Sequence, residues 1–500
     1  MIVMKFGGSS LASRSSIKRA AALVSAQIHR TPVVVVSAIG DTTDRLLDVL
    51  ACASRANSHL VWKTQEQLRS YHFCLAEDLV SAGQIEAIDS YLRQIFRELH
   101  IRMLEVCEGE RRVTPELQDW VVSLGEQVSS RIVASAFQSQ GIETLHMDAR
   151  NLIVTDEQFN KAEPLQWETY AKIRWAVPMA AKDRVVVLGG FIGATGDGRT
   201  TTLGRGGSDL TASLIGAALN AEEIQVWKDV DGLLTWDPRI KRGGYRVKNL
   251  SYSEMAELAR AGATILHPES VAPAQRLRIP ITIRNTFHPE CEGTKIGALR
   301  SGAVVKSIAC KTDLTVLELR SPANEVSLDK FWPQLEEFYR KEKTAATLLG
   351  MSAEVIYLAI DGNTKAIKPG FPIDGCIEAH IRRRQAIITL VGAGITESSV
   401  FRELPGILAG AGALILPAIA GSCGVRIAVP AEALLSSLEL LHRVFFSDCS
   451  PGHFAVVEPL EEKEPERVGT TCAGPVVSRP EPRFSGKNSN LSIPGAPAPA

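Results

Sequence analysis

Val33, Val34, Val35 and Val36 run consecutively after Pro32. A β-branched run without polar alternation reads as a strand covered on both faces, the kind found in parallel sheets of α/β folds. Similar apolar runs occur at Ile2-Val3-Met4, at Arg184-Val185-Val186-Val187-Leu188 and at Ile224-Gln225-Val226-Trp227. Helical patterns separate them: one near Ser16 to Ile28, and a longer one over 64–108. That longer stretch has helical period and little Gly or Pro, which predicts a helical hairpin. Strands alternating with helices over about the first 290 residues predict an α/β fold, a mostly parallel sheet sandwiched by helices.

The rest of the chain reads differently. Short strands are expected at Thr315 to Leu319, Glu354 to Ile360, Ala386 to Val391 and Val425 to Val429. Helices are expected near 327–342, 397–411 and 431–445, giving two similar α+β units. The expected domains are 1–298, 303–380 and 385–447, followed by a tail over 458–500. That tail holds eight of the 25 prolines and an acidic run at Glu461-Glu462-Lys463-Glu464. Such a segment cannot bury enough apolar surface to offset its ordering entropy, so it is expected to be disordered. Arg382-Arg383-Arg384 reads as a solvated linker.

Charge excludes some classes of function. Among the 500 residues, 55 Lys and Arg nearly cancel 56 Asp and Glu, so no broad basic face for nucleic acid or an acidic membrane is expected. No apolar stretch is long enough to span a bilayer. The first residues lack the pattern of a secretory signal, which makes the cytoplasm the expected compartment. The nine cysteines are scattered without a CxxC pair and read as buried thiols.

Several motifs carry chemistry. Lys5-Phe6-Gly7-Gly8-Ser9-Ser10 follows the first strand. Paired glycines let backbone N–H groups approach a phosphate, and the lysine adds positive charge. The spacing is not that of the GxxxxGK[ST] phosphate loop. Thr200-Thr201-Thr202-Leu203-Gly204-Arg205-Gly206-Gly207-Ser208-Asp209 precedes a helix expected over Leu210 to Leu219. A glycine-rich loop entering a helix N-terminus suits an anion, and Arg205 offers a planar fork for a carboxylate. Three hydroxyls with an arginine and an aspartate exceed what a bare turn needs, and Ser208 or Asp209 could cap the helix. Ser123-Leu124-Gly125-Glu126 reads as a helix start with Glu126 in the first turn. Lys228, Asp229, Asp231 and Arg239 lie at the carboxyl end of a buried strand, where open α/β sheets bind ligands. Together these groups fit phosphoryl transfer, which needs mainly positioning and charge neutralisation. A carboxylate acceptor is already nucleophilic and needs no catalytic base.

The segments KFGGSS (Lys5 to Ser10), VVVVSAIGDTTDRL (Val33 to Leu46), SLGEQVSSR (Ser123 to Arg131), GGFIGATGDGRTTTLGRGGSDLTA (Gly189 to Ala212), WKDVDGLLTWDPR (Trp227 to Arg239) and GATILHP (Gly262 to Pro268) resemble the aspartate kinases of the amino acid kinase family. The resemblance implies the amino acid kinase fold followed by paired ACT-type regulatory domains. It implies transfer of a phosphoryl group from ATP, with Mg2+, to L-aspartate, on the route to lysine, threonine and methionine. Lys5 would contact the transferring group, and Gly7 and Gly8 would line the phosphate path. Ser37, Thr43 and Glu126 would hold aspartate, with Glu126 taking its ammonium. Arg205 would clamp a carboxylate and Asp209 would support the reacting centre. Lys228, Asp229, Leu234, Arg239 and Thr264 would surround ATP. Leu234 stands where some relatives carry tyrosine, and Thr264 where many carry lysine.

Val391 to Ile395 and Gly421 to Ile427 resemble the second ACT unit, whereas Ser321 to Val326 departs from the glycine-rich lysine-sensing site. The resemblance implies a homodimer or homotetramer, with lysine or threonine as effector, and not the form fused to a homoserine dehydrogenase. A kinase for another amino-acid carboxylate, and a non-catalytic sensor on the same scaffold, are the alternatives.

Overall fold

The computed structural model describes residues 1–263, 265–298, 304–320, 346–352, 355–361, 378–393, 395, 398–417, 423–447 and 454–456. Thr264, Ser321 to Val326, the helix expected near 327–342 and the tail 458–500 lie outside the described residues.

The chain opens with β1 (Ile2–Phe6), α1 (Arg14–Ser25), β2 (Pro32–Val36), α2 (Thr42–Ser54), α3 (Ser58–Glu77), α4 (Ala82–Cys107) and α5 (Pro115–Ser139). There follow β3 (Thr144–Met147), β4 (Val154–Thr155), α6 (Gln166–Ala180), β5 (Val185–Gly189), β6 (Ile192–Thr195), β7 (Thr200–Thr202), α7 (Gly207–Leu219) and β8 (Glu223–Lys228). Next come β9 (Tyr245–Val247), β10 (Asn249–Ser251), α8 (Tyr252–Arg260), α9 (Pro268–Arg276), β11 (Ile281–Asn285) and β12 (Thr294–Gly297). The eight-stranded sheet has the order β10-β12-β11-β8-β1-β2-β5-β3. Its pairs are parallel except β11 with β12. β1 lies between β2 and β8, so crossovers leave from it toward both edges and create a switch point at its carboxyl end.

Val33 to Val36 are fully buried, as their unalternating pattern requires. Period-2 geometry splits β1 between two layers. Ile2, Met4 and Phe6 pack with α1 to α5, whereas Val3 packs on the other side with α6 to α9. Lys5 shares the Val3 side, and this aims its stem toward α7. The hairpin expected over 64–108 is α3 with α4.

The second half adds β13 (Ser307–Arg320), β14 (Ala346–Met351), β15 (Val355–Asp361), β16 (Glu378–Val391), α10 (Ser399–Ile407), β17 (Leu414–Ile415), β18 (Gly424–Pro430), α11 (Leu434–Phe446) and β19 (Phe454–Val456). One antiparallel sheet forms with the order β14-β15-β13-β16-β18-β17. The run Arg382 to Arg384 is not a linker but the middle of β16, and Arg382 reaches the buried Glu318 on β13 at 3.4 Å. An arginine run can sit in a strand here because the neighbouring strand supplies the carboxylate.

The two halves share a core, with Ile308, Ile388, Leu390 and Ile427 joining the α8–α9 layer. Lys306 and Glu254 form a fully buried ion pair at 2.7 Å across the junction. Among the described residues no helix is long and apolar enough to cross a membrane. Cys52, Cys74, Cys107, Cys291, Cys310 and Cys423 form no disulfide among the described residues and are half-buried, not fully buried as expected.

Candidate active site

The site lies beyond the carboxyl ends of β1, β2 and β8, where three clefts meet. Lys5, Ser37, Thr43, Glu126, Phe191, Arg205 and Asp209 line the first. Lys5, Gly7, Gly8, Ser9, Ser37, Lys228, Asp229 and Ile265 line the second. The third is mostly apolar and includes Asp229, Leu234, Trp236, Arg239 and Ile308. Lys5 and Ser37 border both the first and second, and Asp229 both the second and third. Lys5, Gly7, Gly8, Ser37, Thr43, Glu126, Arg205, Asp209, Lys228, Asp229, Leu234 and Arg239 are therefore brought into one continuous region.

Asp209 organises its centre. Lys5 Nζ lies 2.7 Å from Asp209 Oδ1, and Lys228 Nζ lies 3.4 Å from Oδ2. Lys228 also donates to the Ile265 carbonyl. Burial opposes ionisation of Asp209, but Lys5 and then Lys228 outweigh it and hold the carboxyl below its ordinary pKa. Burial lowers the pKa of Lys228, against the pull of Asp209. Asp209 does not cap α7, and neither does Ser208: the N-cap is Gly206, with no side-chain bond. The carboxylate is drawn to the lysines instead.

Gly206 has φ +73°, and a Cβ there would lie 2.3 Å from His267 Cβ, so only glycine fits the turn. Arg205 projects from this turn into solvent, and no hydrogen bond or ion pair holds it among the described residues. The three threonine hydroxyls expected at the ligand point elsewhere. Thr202 donates to Asp119 at 2.6 Å, Thr201 bonds Thr155 at 2.7 Å, and Arg150 donates to Thr200 at 3.3 Å. They fix β7, which carries the loop.

Glu126 is in the middle of α5, not the first turn of a helix. α5 begins at Pro115, with Thr114 accepting from Leu117 N at 3.1 Å. Its interior comes close to the β2 exit because Gly125 has no side chain: a Cβ would lie 2.8 Å from Ala38 Cβ. Glu126 is thereby buried against the site. Burial pushes its pKa up to about 8, against a backbone hydrogen bond at Ala38 and the Lys5 charge. Its Oε2 has no hydrogen-bond partner among the described residues. A buried, unpartnered carboxyl oxygen bordering a cleft is suited to a cationic ligand group.

Sequence reasoning missed Asp119 and Phe191. Asp119 is fully buried and its carboxylate accepts from Thr202 N and Asn160 N at 2.9 Å each, tying the Asn160 loop to the strand that leads into the arginine loop. Nothing in the helical pattern around it separates it from any other acidic residue. Phe191 borders the first cleft with φ +66°, a conformation uncommon for a bulky residue. Thr211 accepts its N–H at 3.1 Å. The Gly189-Gly190 pair before it was the available signal. Arg239, expected around the nucleotide, borders the third cleft but is bonded to Asp237 at 2.6 Å and largely exposed.

An open α/β sheet with lysines and a glycine turn at its switch point has the makings of a small-molecule phosphotransferase. The amino acid kinase family matches residues 1–285. The chloroplastic aspartokinase 3 of Arabidopsis thaliana is 31% identical over 487 residues, covering 91% of this chain and 84% of its own. The lysine-sensitive aspartokinase 3 of Escherichia coli K12 is 26% identical over 458 residues, 89% of this chain and 99% of its own. The crystal structure of E. coli aspartokinase III in complex with aspartate and ADP superposes with a TM-score of 0.74 at 25% identity, covering 89% of this chain and all of that one. The chain belongs to the amino acid kinase family, within its aspartokinases.

Proposed function

We propose that this chain transfers the γ-phosphoryl group of ATP to the side-chain carboxylate of L-aspartate, giving 4-phospho-L-aspartate. The carrying observation is the position of Lys5, at the seam between the Arg205 and Glu126 cleft and the glycine-lined cleft. Aspartate lies in the first cleft, with a carboxylate on Arg205, its ammonium on Glu126, and Ser37 and Thr43 beside it. ATP phosphates follow Gly7, Gly8 and Lys228, and the nucleoside takes the apolar third cleft by Asp229, Leu234 and Arg239. Lys5 neutralises the phosphoryl oxygens as charge spreads over them. Asp209 keeps both lysines aimed at the seam. The attacking carboxylate needs no base.

Among the described residues no group of three His, Cys, Asp or Glu could hold a metal. That fits a magnesium ion held mainly by nucleotide phosphates and water, whose chemistry would be to neutralise the β- and γ-oxygens.

ADP release measured with aspartate, glutamate, N-acetylglutamate and no acceptor tests the reading: turnover with aspartate alone supports it, and preference for another acceptor overturns it. For the second half we propose two ACT-type units, over 303–380 and 385–447, joined through the continuous strand β16 instead of a linker, that bind lysine or threonine in a homodimer or homotetramer. The name of the lysine-sensitive E. coli relative supports lysine as the first effector to test.

The pKa of Glu126 sets a pH dependence. The free enzyme carries a protonated Glu126 below about pH 8, and only the ionised form pairs with an ammonium. The kcat/KM for aspartate should therefore rise about tenfold per pH unit up to that value and then level off. Glu126→Gln should lower kcat/KM and flatten this limb. A wild-type profile flat between pH 6 and 8 would remove Glu126 from the aspartate site.

A further inference from the structure

The loop that walls the third cleft is held from the far end of the chain. Thr235, between Leu234 and Trp236, is fully buried. Its carbonyl accepts from Ile308 N at 2.7 Å, and the Leu234 carbonyl accepts from Ser307 Oγ at 2.8 Å. The Thr235 hydroxyl oxygen accepts from Tyr245 N at 3.0 Å and lies 2.9 Å from His442 Nε2. His442 is on α11, 207 residues away in sequence. Its ring stacks on Trp236 with centroids 4.0 Å apart and planes 28° apart, and Tyr245 lies parallel beyond at 6.0 Å. One turn earlier on α11, Glu439 pairs with Lys241 of the same loop.

The Tyr245 N–H occupies one lone pair of the Thr235 oxygen. The hydroxyl can still donate its proton to Nε2 or accept from it with its second lone pair, as the His442 tautomer dictates. Burial, and then the Lys241 charge, lower the His442 pKa and so favour the neutral ring.

We propose that His442 is a positioning residue for the nucleotide: it fixes Thr235 and Trp236, and through them the Leu234 to Arg239 wall of the third cleft. The inference rests on the nucleotide occupying that cleft. α11 is then part of what completes the ATP site, although none of its residues lines the three clefts.

The test uses the full chain and three substitutions. His442→Phe keeps a stacking ring and removes the hydrogen-bond partner of Thr235. His442→Gln restores a polar partner that can donate or accept. Leu234→Glu puts a charge into the cleft itself. His442→Phe should raise the ATP KM and weaken ADP binding by about fivefold, the scale of one lost neutral hydrogen bond. The aspartate KM at saturating ATP and the melting temperature should hold, and His442→Gln should recover most of the loss. An unchanged ATP KM in His442→Phe overturns the proposal if Leu234→Glu still raises it. Parallel rises in both KM values with a lowered melting temperature, unrescued by His442→Gln, also overturn it, since the role is then structural only. If Leu234→Glu leaves the ATP KM unchanged, the nucleotide lies elsewhere and the reading of the third cleft falls together with the proposal.

Discussion

Lys5→Ala is expected to lower kcat about 10³-fold, or about 4 kcal/mol of transition-state stabilisation, the scale of one preorganised donor at a developing charge. The protein should stay folded, because Asp209 keeps Lys228 as a partner at 3.4 Å once the 2.7 Å pair with Lys5 is gone. Nucleotide affinity should change by less than about tenfold, since the Lys5 contact strengthens as the phosphoryl group moves and contributes less in the ground state. Single-turnover rates with ADP titration calorimetry separate the two quantities. Near-normal kcat would make Lys5 a structural partner of Asp209 and nothing more.

Arg205→Ala is expected to lower kcat/KM for aspartate at least about 10²-fold, the scale of a charge-assisted pair of about 3 kcal/mol, mainly through the aspartate KM. The guanidinium is exposed, on a turn that only glycine can form at Gly206, with no partner among the described residues. Its removal costs the fold little, so the melting temperature should hold. Arg205→Lys should recover only part of the loss, because an ammonium lacks the planar two-donor fork. Unchanged aspartate kinetics would show that the arginine points to solvent in every state.

What could be read from the sequence follows from how local each signal is. The valine strand after Pro32, the lysine-glycine turn and the arginine loop each lie within about ten residues, and all three take their expected places around β1. Glu126 borders the first cleft, but its place within its helix was misjudged, because Ser-Leu-Gly-Glu resembles a helix start. The true start, Thr114-Pro115, is a turn and more upstream, and α5 is buried on nearly every side and so shows little amphipathic contrast. The threonines were expected to face the ligand, but their hydroxyls turn to Asp119, Thr155 and Arg150. Those partners lie 46 to 83 residues away in sequence, beyond the reach of any spacing argument. Arg382 to Arg384 looked like a linker because the Glu318 that receives Arg382 is on another strand. His442 offered no signal for the same reason.

Trapping the product with hydroxylamine is the most direct test of phosphoryl transfer to the side-chain carboxylate. An acyl phosphate reacts to give a hydroxamate, and the position of that group reports which carboxylate received phosphate. The purified chain with ATP, Mg2+ and L-aspartate should form the side-chain hydroxamate in equal amount to ADP, and Lys5→Ala should lose both together. ADP formed without hydroxamate, or hydroxamate on the α-carboxylate, would contradict the account.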